Sequence, residues 1–148
     1  MPEQETLERA HQDEAEGKAP STQAGEFVRE EMHHIREGKH GARSTKQAIA
    51  IGLSKARRAG VKLPPPRKGA VSEKTRRSAE RAYEKGQTQP KRRPSPKRSR
   101  ATLSALRKEG HSAASRKALA GQARSAARKR PASQRSASAR RAAHTRAR

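Results

Sequence analysis

The sequence predicts a mostly α-helical protein with extensive disorder, in which a small αα-hairpin and further transient helices form without a large core. Only 29% of its 148 residues are hydrophobic and 1% are aromatic. Burial of apolar surface must offset a backbone entropy loss of roughly 1–2 kcal/mol for each ordered residue, and this chain has little such surface. Its formal net charge is +23. Low hydrophobicity combined with high net charge is typical of disordered chains.

The best-patterned segment is 21–60, whose first half predicts a helix. Val28, Met32 and Ile35 follow i, i+4, i+7 spacing and therefore share one helical face. Gly38 ends this helix, and a short loop reverses the chain. The expected N-caps are Ser21 and Thr22.

The second half of the hairpin opens on a capping box. Ser44 is the expected N-cap and Gln47 the residue three positions later that closes the box. The helix that follows carries an apolar stripe and ends at Gly60. We expect the stripe to consist of Ile49, Leu53 and Ala56.

Outside the hairpin, the pattern is weaker. A second helical pair, 99–130, looks like a degenerate copy of the first, with Leu103 and Leu106 in the places of Met32 and Ile35. The remaining predicted units are an acidic N-terminal arm (1–20), a Pro-containing basic linker with one helix from Ser72 to Lys85 (61–98), and a disordered Ala/Ser/Arg tail (131–148).

Charge is distributed unevenly along the chain, with an acidic N-terminal part and a strongly basic C-terminal part. Residues 1–37 contain ten acids and four bases, a net of −6, whereas residues 85–148 contain 20 bases and one acid, a net of +19. Basic side chains bind nucleic acid by neutralising phosphates and releasing condensed counterions. A tail kept for solubility or an anionic-membrane binder is the alternative, and no amphipathic basic helix favours the membrane. The predicted nucleic-acid-binding residues are Lys91, Arg92, Arg93, Lys97, Arg98, Arg100, Arg107, Lys108, Arg116, Lys117, Arg124, Arg128, Lys129, Arg130, Arg140 and Arg141.

Two features of the sequence indicate how the chain would recognise nucleic acid. The unit from Ser95 to Arg98 resembles the Ser-Pro-basic-basic turns of linker-histone tails, which deliver cations to the minor groove. A proline-rich charged linker is the alternative interpretation. Phe27 and Tyr83 are the only aromatic residues, too few for a base-stacking platform. The sequence therefore predicts binding without base specificity.

Catalysis and metal binding are not expected. The chain lacks a Gly-x-Ser-x-Gly motif and a phosphate-cradling glycine loop, so we predict no enzyme activity, no cofactor and no small-molecule substrate. The candidate metal ligands are His33, His34 and His40. Adjacent histidines leave a helix about 100° apart, and no His-Glu-x-x-His motif surrounds them. The sequence therefore predicts no metal site.

The motifs EGKHG and STKQAIAIGLSKARRAG stand within the stretch from Gly25 to Pro66, which resembles a family of short basic bacterial proteins of unknown function. The later stretches VSEKTRRSAERAYEKG and SPKRSRATLSALRKEGHSAASRKALAGQARSAARKR resemble longer members of that family, so the resemblance covers most of the chain. Members of that family bear labels such as DNA-binding protein or plasmid stabilisation protein, which imply association with DNA and assign no residue a role.

Together, these patterns predict a cytoplasmic, nucleoid-associated protein that binds DNA nonspecifically and does not bind membranes. RNA or ribosome association is one alternative. A partner-docking adaptor in plasmid maintenance, with the protein partner held at the 21–60 hairpin, is another.

Overall fold

The computed structural model describes residues 1–88 and 95–146, and it places seven α-helices and one 3₁₀ turn in them. In chain order these elements are α1 (Gln4–Ala15), α2 (Pro20–Arg36), α3 (Thr45–Arg58), α4 (Glu73–Thr88), α5 (Pro96–Arg107), the 3₁₀ turn Ser112–Ala114, α6 (Arg116–Arg128) and α7 (Ala132–Arg146).

The prediction of a mostly α-helical chain is confirmed, and the prediction of extensive disorder is wrong. The expected acidic arm carries α1, and the expected disordered tail carries α7. Both segments are rich in Ala, Arg, Gln or Glu, which have high helix propensity even where they offer little apolar surface. The prediction from composition is correct about the lack of large apolar residues, but it underestimates how readily this chain forms helices.

The helical hairpin of α2 and α3 is the centre of the fold. On α3 the buried positions Ala48, Gly52 and Ala56 recur every four residues and face α2. Of the expected stripe, Ala56 is fully buried, whereas Ile49 and Leu53 are only partly buried. A Cβ on Gly52 would lie 2.7 Å from the Val28 Cα. The two helices therefore approach each other through small residues.

The start of α3 follows the predicted capping pattern. The Ser44 hydroxyl accepts a hydrogen bond from the Gln47 backbone N–H at 3.2 Å. The Gln47 side chain reaches back to the backbone N–H of Arg43 at 2.7 Å, one residue earlier than in a regular capping box. Gly60 follows the helix with a φ of +105°, a left-handed conformation that glycine adopts without strain.

The start of α2 differs from the prediction. Ala19 is the N-cap and Pro20 occupies the first turn, so Ser21 and Thr22 lie inside the helix. Proline suits this position because its fixed φ is helical and its missing N–H would have had no partner. The end matches the prediction, since Gly38 follows α2 with a φ of +74°.

One apolar cluster lies between α1, α2 and the end of α3. It contains Ala10, Ala24, Phe27, Ala56 and Val61, with Leu7, Leu53, Ala59 and Leu63 packed against it. Phe27 is fully buried and is the largest of the fully buried side chains among the described residues. The N-terminal helix is therefore part of the core.

A second cluster joins the hairpin to the C-terminal half. It contains Met32, Ile35, Ala42, Ala48, Ala113 and Ala114, with Val28, Ile49 and Leu119 packed against it. Thr45 Oγ1 donates a hydrogen bond to the Ala113 carbonyl at 2.7 Å, and Gly41 N–H donates to the Leu106 carbonyl at 2.9 Å. A Cβ on Gly41 would overlap the Glu109 carbonyl oxygen, so only glycine fits there. The second helical pair docks on the first through these connecting loops.

The predicted helix of the 61–98 segment is α4, which extends beyond its expected end. The expected end is Lys85, yet the helix continues through Gly86 to Thr88. A Cβ on Gly86 would overlap the Arg57 carbonyl oxygen, so this glycine allows α4 to pack closely on α3. The Ser95–Arg98 unit opens α5, with Pro96 in its first turn, in place of an isolated turn.

We expect Gly52→Ala to lower the free energy of unfolding by roughly 1–3 kcal/mol, because the new methyl group meets the α2 backbone. Gly25→Ala is the matched control, since it makes the same change on the open side of α2, where a Cβ meets no atom within 4 Å. The control should raise the free energy of unfolding by up to about 1 kcal/mol through helix propensity. Urea unfolding followed by circular dichroism measures both, and equal effects of the two substitutions would contradict the close helix contact.

Candidate nucleic-acid interface

The predicted binding residues lie on the surface of the three C-terminal helices. All thirteen that fall within the described residues are exposed. Lys97, Arg98, Arg100, Arg107 and Lys108 belong to α5 and its C-cap, Arg116 to Arg130 to α6 and its end, and Arg140 and Arg141 to α7. Lys91, Arg92 and Arg93 lie outside the described residues. Arg135 and Arg146 are further exposed basic residues of α7 that belong to the same surface.

Most of the excess positive charge lies in the C-terminal helices, whereas acids and bases nearly balance in the rest of the described chain. Residues 1–88 contain 18 basic and 13 acidic residues, a net of +5, and residues 95–146 contain 15 basic residues and Glu109, a net of +14. Every ion pair between described residues joins groups in residues 3–80. With Arg141 left aside, the described basic residues of 95–146 form no ion pair with a carboxylate. We refer to residues 95–146 as the basic surface.

The acidic N-terminal segment is neutralised within the first half of the chain. Arg9 pairs with Glu26 at 2.6 Å, and Lys18 pairs with Asp13 at 2.7 Å. The hydrogen bond to Asp13 is the main cause that raises the pKa of Lys18. None of these carboxylates pairs with a described residue of the basic surface, which is therefore left to face external anions.

Helix α6 orders part of the basic surface into a stripe. Lys117, Arg124 and Arg128 follow i, i+7, i+11 spacing, which places them within about 40° of one another around the helix and along about 16 Å of its axis. Leu119 and Ala126 lie on the opposite side and are partly buried. Leu119 packs against the cluster of Met32 and Ile35. The core contact therefore turns the cationic stripe outward.

A separate group of polar residues converges at the end of α2. Glu31, His34 and His40 each offer one potential metal-ligand atom, and these atoms lie within 4.8 Å of one another. The sequence pattern predicted no metal site here, and His33, one of the candidate residues, is exposed outside this group. The i, i+3 spacing of Glu31 and His34 is the only sequence signal, because His40 arrives through the loop after the helix.

Part of the chain is similar to a known protein family. The model of a family of unknown function (DUF6496) matches residues 20–68, which is 49 of the 148 residues and spans α2 and α3. No match was found among curated proteins or among solved structures. The family similarity thus covers the hairpin and the group at Glu31, and it does not extend to the basic surface. Within residues 1–88 and 95–146, no helix has the length and apolar character needed to cross a membrane.

We expect removal of residues 131–148 to leave the melting temperature within about 2 °C of the full chain, because no described side chain of α7 is buried. Removal of residues 1–19 shortens the chain by a similar length but takes away the buried Thr6 and Ala10. It should lower the melting temperature by about 5 °C or more. Thermal unfolding followed by circular dichroism compares the two truncations, and a large loss of stability in the 1–130 chain would show that α7 supports the core.

Proposed function

We propose that this protein binds DNA without sequence specificity and is associated with the bacterial nucleoid, with residues 95–146 as its main phosphate-binding surface. The observation that carries the proposal is the excess charge of +14 on three helices whose basic side chains are exposed. Ala113 and Ala114, in the turn between α5 and α6, are buried in the core. The cations of these two helices therefore flank an anchored turn, and α7 adds further exposed cations without a buried side chain among its described residues.

The physical basis is phosphate neutralisation. Each Lys or Arg that contacts a phosphate releases condensed counterions, and this entropy gain drives binding without reading the bases. Arginine predominates on the basic surface, and its planar guanidinium can contact a phosphate through two N–H groups. The stripe of Lys117, Arg124 and Arg128 extends along about 16 Å, comparable to five base pairs of duplex.

The position of the aromatic residues favours duplex binding over single-strand binding. Phe27 is fully buried in the core, and Tyr83 is partly buried on α4. Neither lies on the basic surface. Recognition of single-stranded nucleic acid commonly stacks bases on exposed aromatic rings. We therefore favour double-stranded DNA over single-stranded RNA as the ligand.

A protein-docking role for the hairpin receives less support from the packing. The apolar face of α2 and α3 is covered by α1 on one side and by the 112–119 segment on the other. Among the described residues, Met1 and Val71 are the exposed large hydrophobic side chains, and they do not belong to the hairpin. The hairpin therefore offers little apolar surface to a partner.

The double substitution Lys117→Gln with Arg124→Gln tests the basic surface. We expect the full chain to bind a duplex with a log–log salt slope near −7 to −9, as about 8–10 phosphate contacts require. The double variant should weaken that slope by about 2 and reduce affinity at least about tenfold at 0.1 M salt. Fluorescence anisotropy with a labelled duplex at several salt concentrations measures both quantities.

The matched control is Lys74→Gln with Arg81→Gln on α4, which removes the same two residue types at the same spacing and gives the same net charge of +21 (+23 less 2). Its salt slope should change by less than about 1. Equal effects of the two double variants would show that total charge, and not the basic surface, determines binding. A duplex RNA of equal length that competes as strongly as DNA would contradict the preference for DNA and favour an RNA-associated role.

A further inference from the structure

Glu31 is an unusual residue to find fully buried in a chain with so small a core. Its carboxylate has no exposed surface, and neither of its oxygens has a hydrogen-bond partner among the described residues. Lys55 Nζ lies 2.7 Å from Oε2, an ion-pair contact that does not meet hydrogen-bond geometry. A buried carboxylate normally satisfies both oxygens, since its desolvation is costly. The oxygen Oε1 is therefore available to another ligand.

His40 points its second ring nitrogen at that oxygen. Its Nδ1 lies 3.1 Å from the Gly41 carbonyl oxygen, a contact that requires the proton to be on Nδ1. In the neutral ring, Nε2 then carries a lone pair, and it lies 3.4 Å from Glu31 Oε1. Two acceptor atoms that face each other at this distance repel unless a cation or a proton lies between them. The geometry thus creates a small site of negative potential inside the protein.

His34 completes the group, and its Nδ1 lies 3.9 Å from Glu30 Oε1. Its Nε2 lies 2.8 Å from a Glu3 carboxylate oxygen, so it can donate its N–H there and keep Nδ1 unprotonated. Metal-binding histidines usually donate their other ring N–H to a carboxylate or a backbone carbonyl. His34 with Glu3 and His40 with Gly41 reproduce both versions of this arrangement.

The local charge balance also favours an added cation. Glu30 is buried beside Glu31, and Lys55 Nζ lies 3.4 Å from Glu30 Oε1, so one ammonium group serves two carboxylates. Glu3, the acid beside His34, is paired with Lys39 at 3.1 Å. With neutral imidazoles, Glu30 and Glu31 therefore retain one uncompensated negative charge.

We propose that Glu31, His34 and His40 form a binding site for a divalent transition metal of the zinc class. Two imidazoles and one carboxylate are a donor set that zinc uses with a fourth, open position. A surface cleft of about 210 Å³ borders the group at His34 alone, and its lining also includes Glu3, Glu30, His33 and Lys39. Glu31 Oε1 would bind the metal while Oε2 keeps Lys55.

The site would connect two parts of the hairpin. Glu31 and His34 lie on α2, whereas His40 lies in the loop that follows it. The next two residues of this loop, Gly41 and Ala42, donate backbone hydrogen bonds to carbonyl groups of the C-terminal half. A metal bound to all three residues would hold that loop against α2. Metal binding to the folded chain would then stabilise it by mass action.

The test uses the full chain, stripped with a chelator and titrated with Co²⁺ as a spectroscopic probe and Zn²⁺ as a competitor. We expect one Co²⁺ per chain, visible d–d absorption, displacement by Zn²⁺, and a rise in melting temperature. His40→Gln and Glu31→Gln should each weaken Co²⁺ binding at least tenfold, and circular dichroism confirms that the variants fold. His34→Gln, whose side chain is 12% exposed, provides a third ligand variant if a more buried one fails to fold.

His33→Gln is the matched control, because His33 adjoins His34 in sequence but is exposed outside the group. It should keep the affinity, the absorption and the rise in melting temperature of the parent chain. Absence of saturable Co²⁺ binding would overturn the proposal and leave Glu31 and His40 as a proton-bridged pair. Equal losses in His33→Gln and His40→Gln would also overturn it, since binding would then not be specific to the group of Glu31, His34 and His40.

Discussion

The close approach of α2 and α3 at Gly52 is the constraint on which the rest of the structure depends. The chain has few large apolar side chains, so it gains contact by bringing backbones together, and a Cβ at Gly52 would lie 2.7 Å from the Val28 Cα. On either side of this point, Ala48 and Ala56 are fully buried in two different apolar clusters. Dispersion contacts at close range thus replace part of the volume that a larger core would supply.

The same hairpin also carries a fully buried carboxylate, Glu31, whose oxygens have no hydrogen-bond partner among the described residues. Burial of Glu31 in a small core is destabilising unless its charge is compensated, and Lys55 compensates it only in part. A chain selected for stability alone would be expected to place an apolar residue there. The convergence of two histidine rings on this carboxylate gives the burial a chemical reason, because a bound cation would recover the desolvation cost.

The packing also determines how charge is presented to the surroundings. The N-terminal acids pair with bases of the first half of the chain, so they stabilise the region around the hairpin and do not screen residues 95–146. Ala113 and Ala114 anchor the second helical pair in the core, and Leu119 orients α6 with its basic stripe outward. A region that composition alone describes as a charged tail is thereby partly held in a defined orientation.

The sequence by itself determined the helical class, the α2–α3 hairpin with its Ser44 cap, and the cationic character of the C-terminal half, since these depend on local propensity, capping and charge. Tertiary structure alone decided that α1 packs into the core, that Gly41 and Gly86 are contact residues, and that Ala113 enters the core. Alanine and glycine have small side chains or none, so their positions in the sequence form no hydrophobic pattern that predicts which backbone segment they will contact. The group of Glu31, His34 and His40 was hidden for a related reason, because a loop brings its third member back onto the helix that holds the other two.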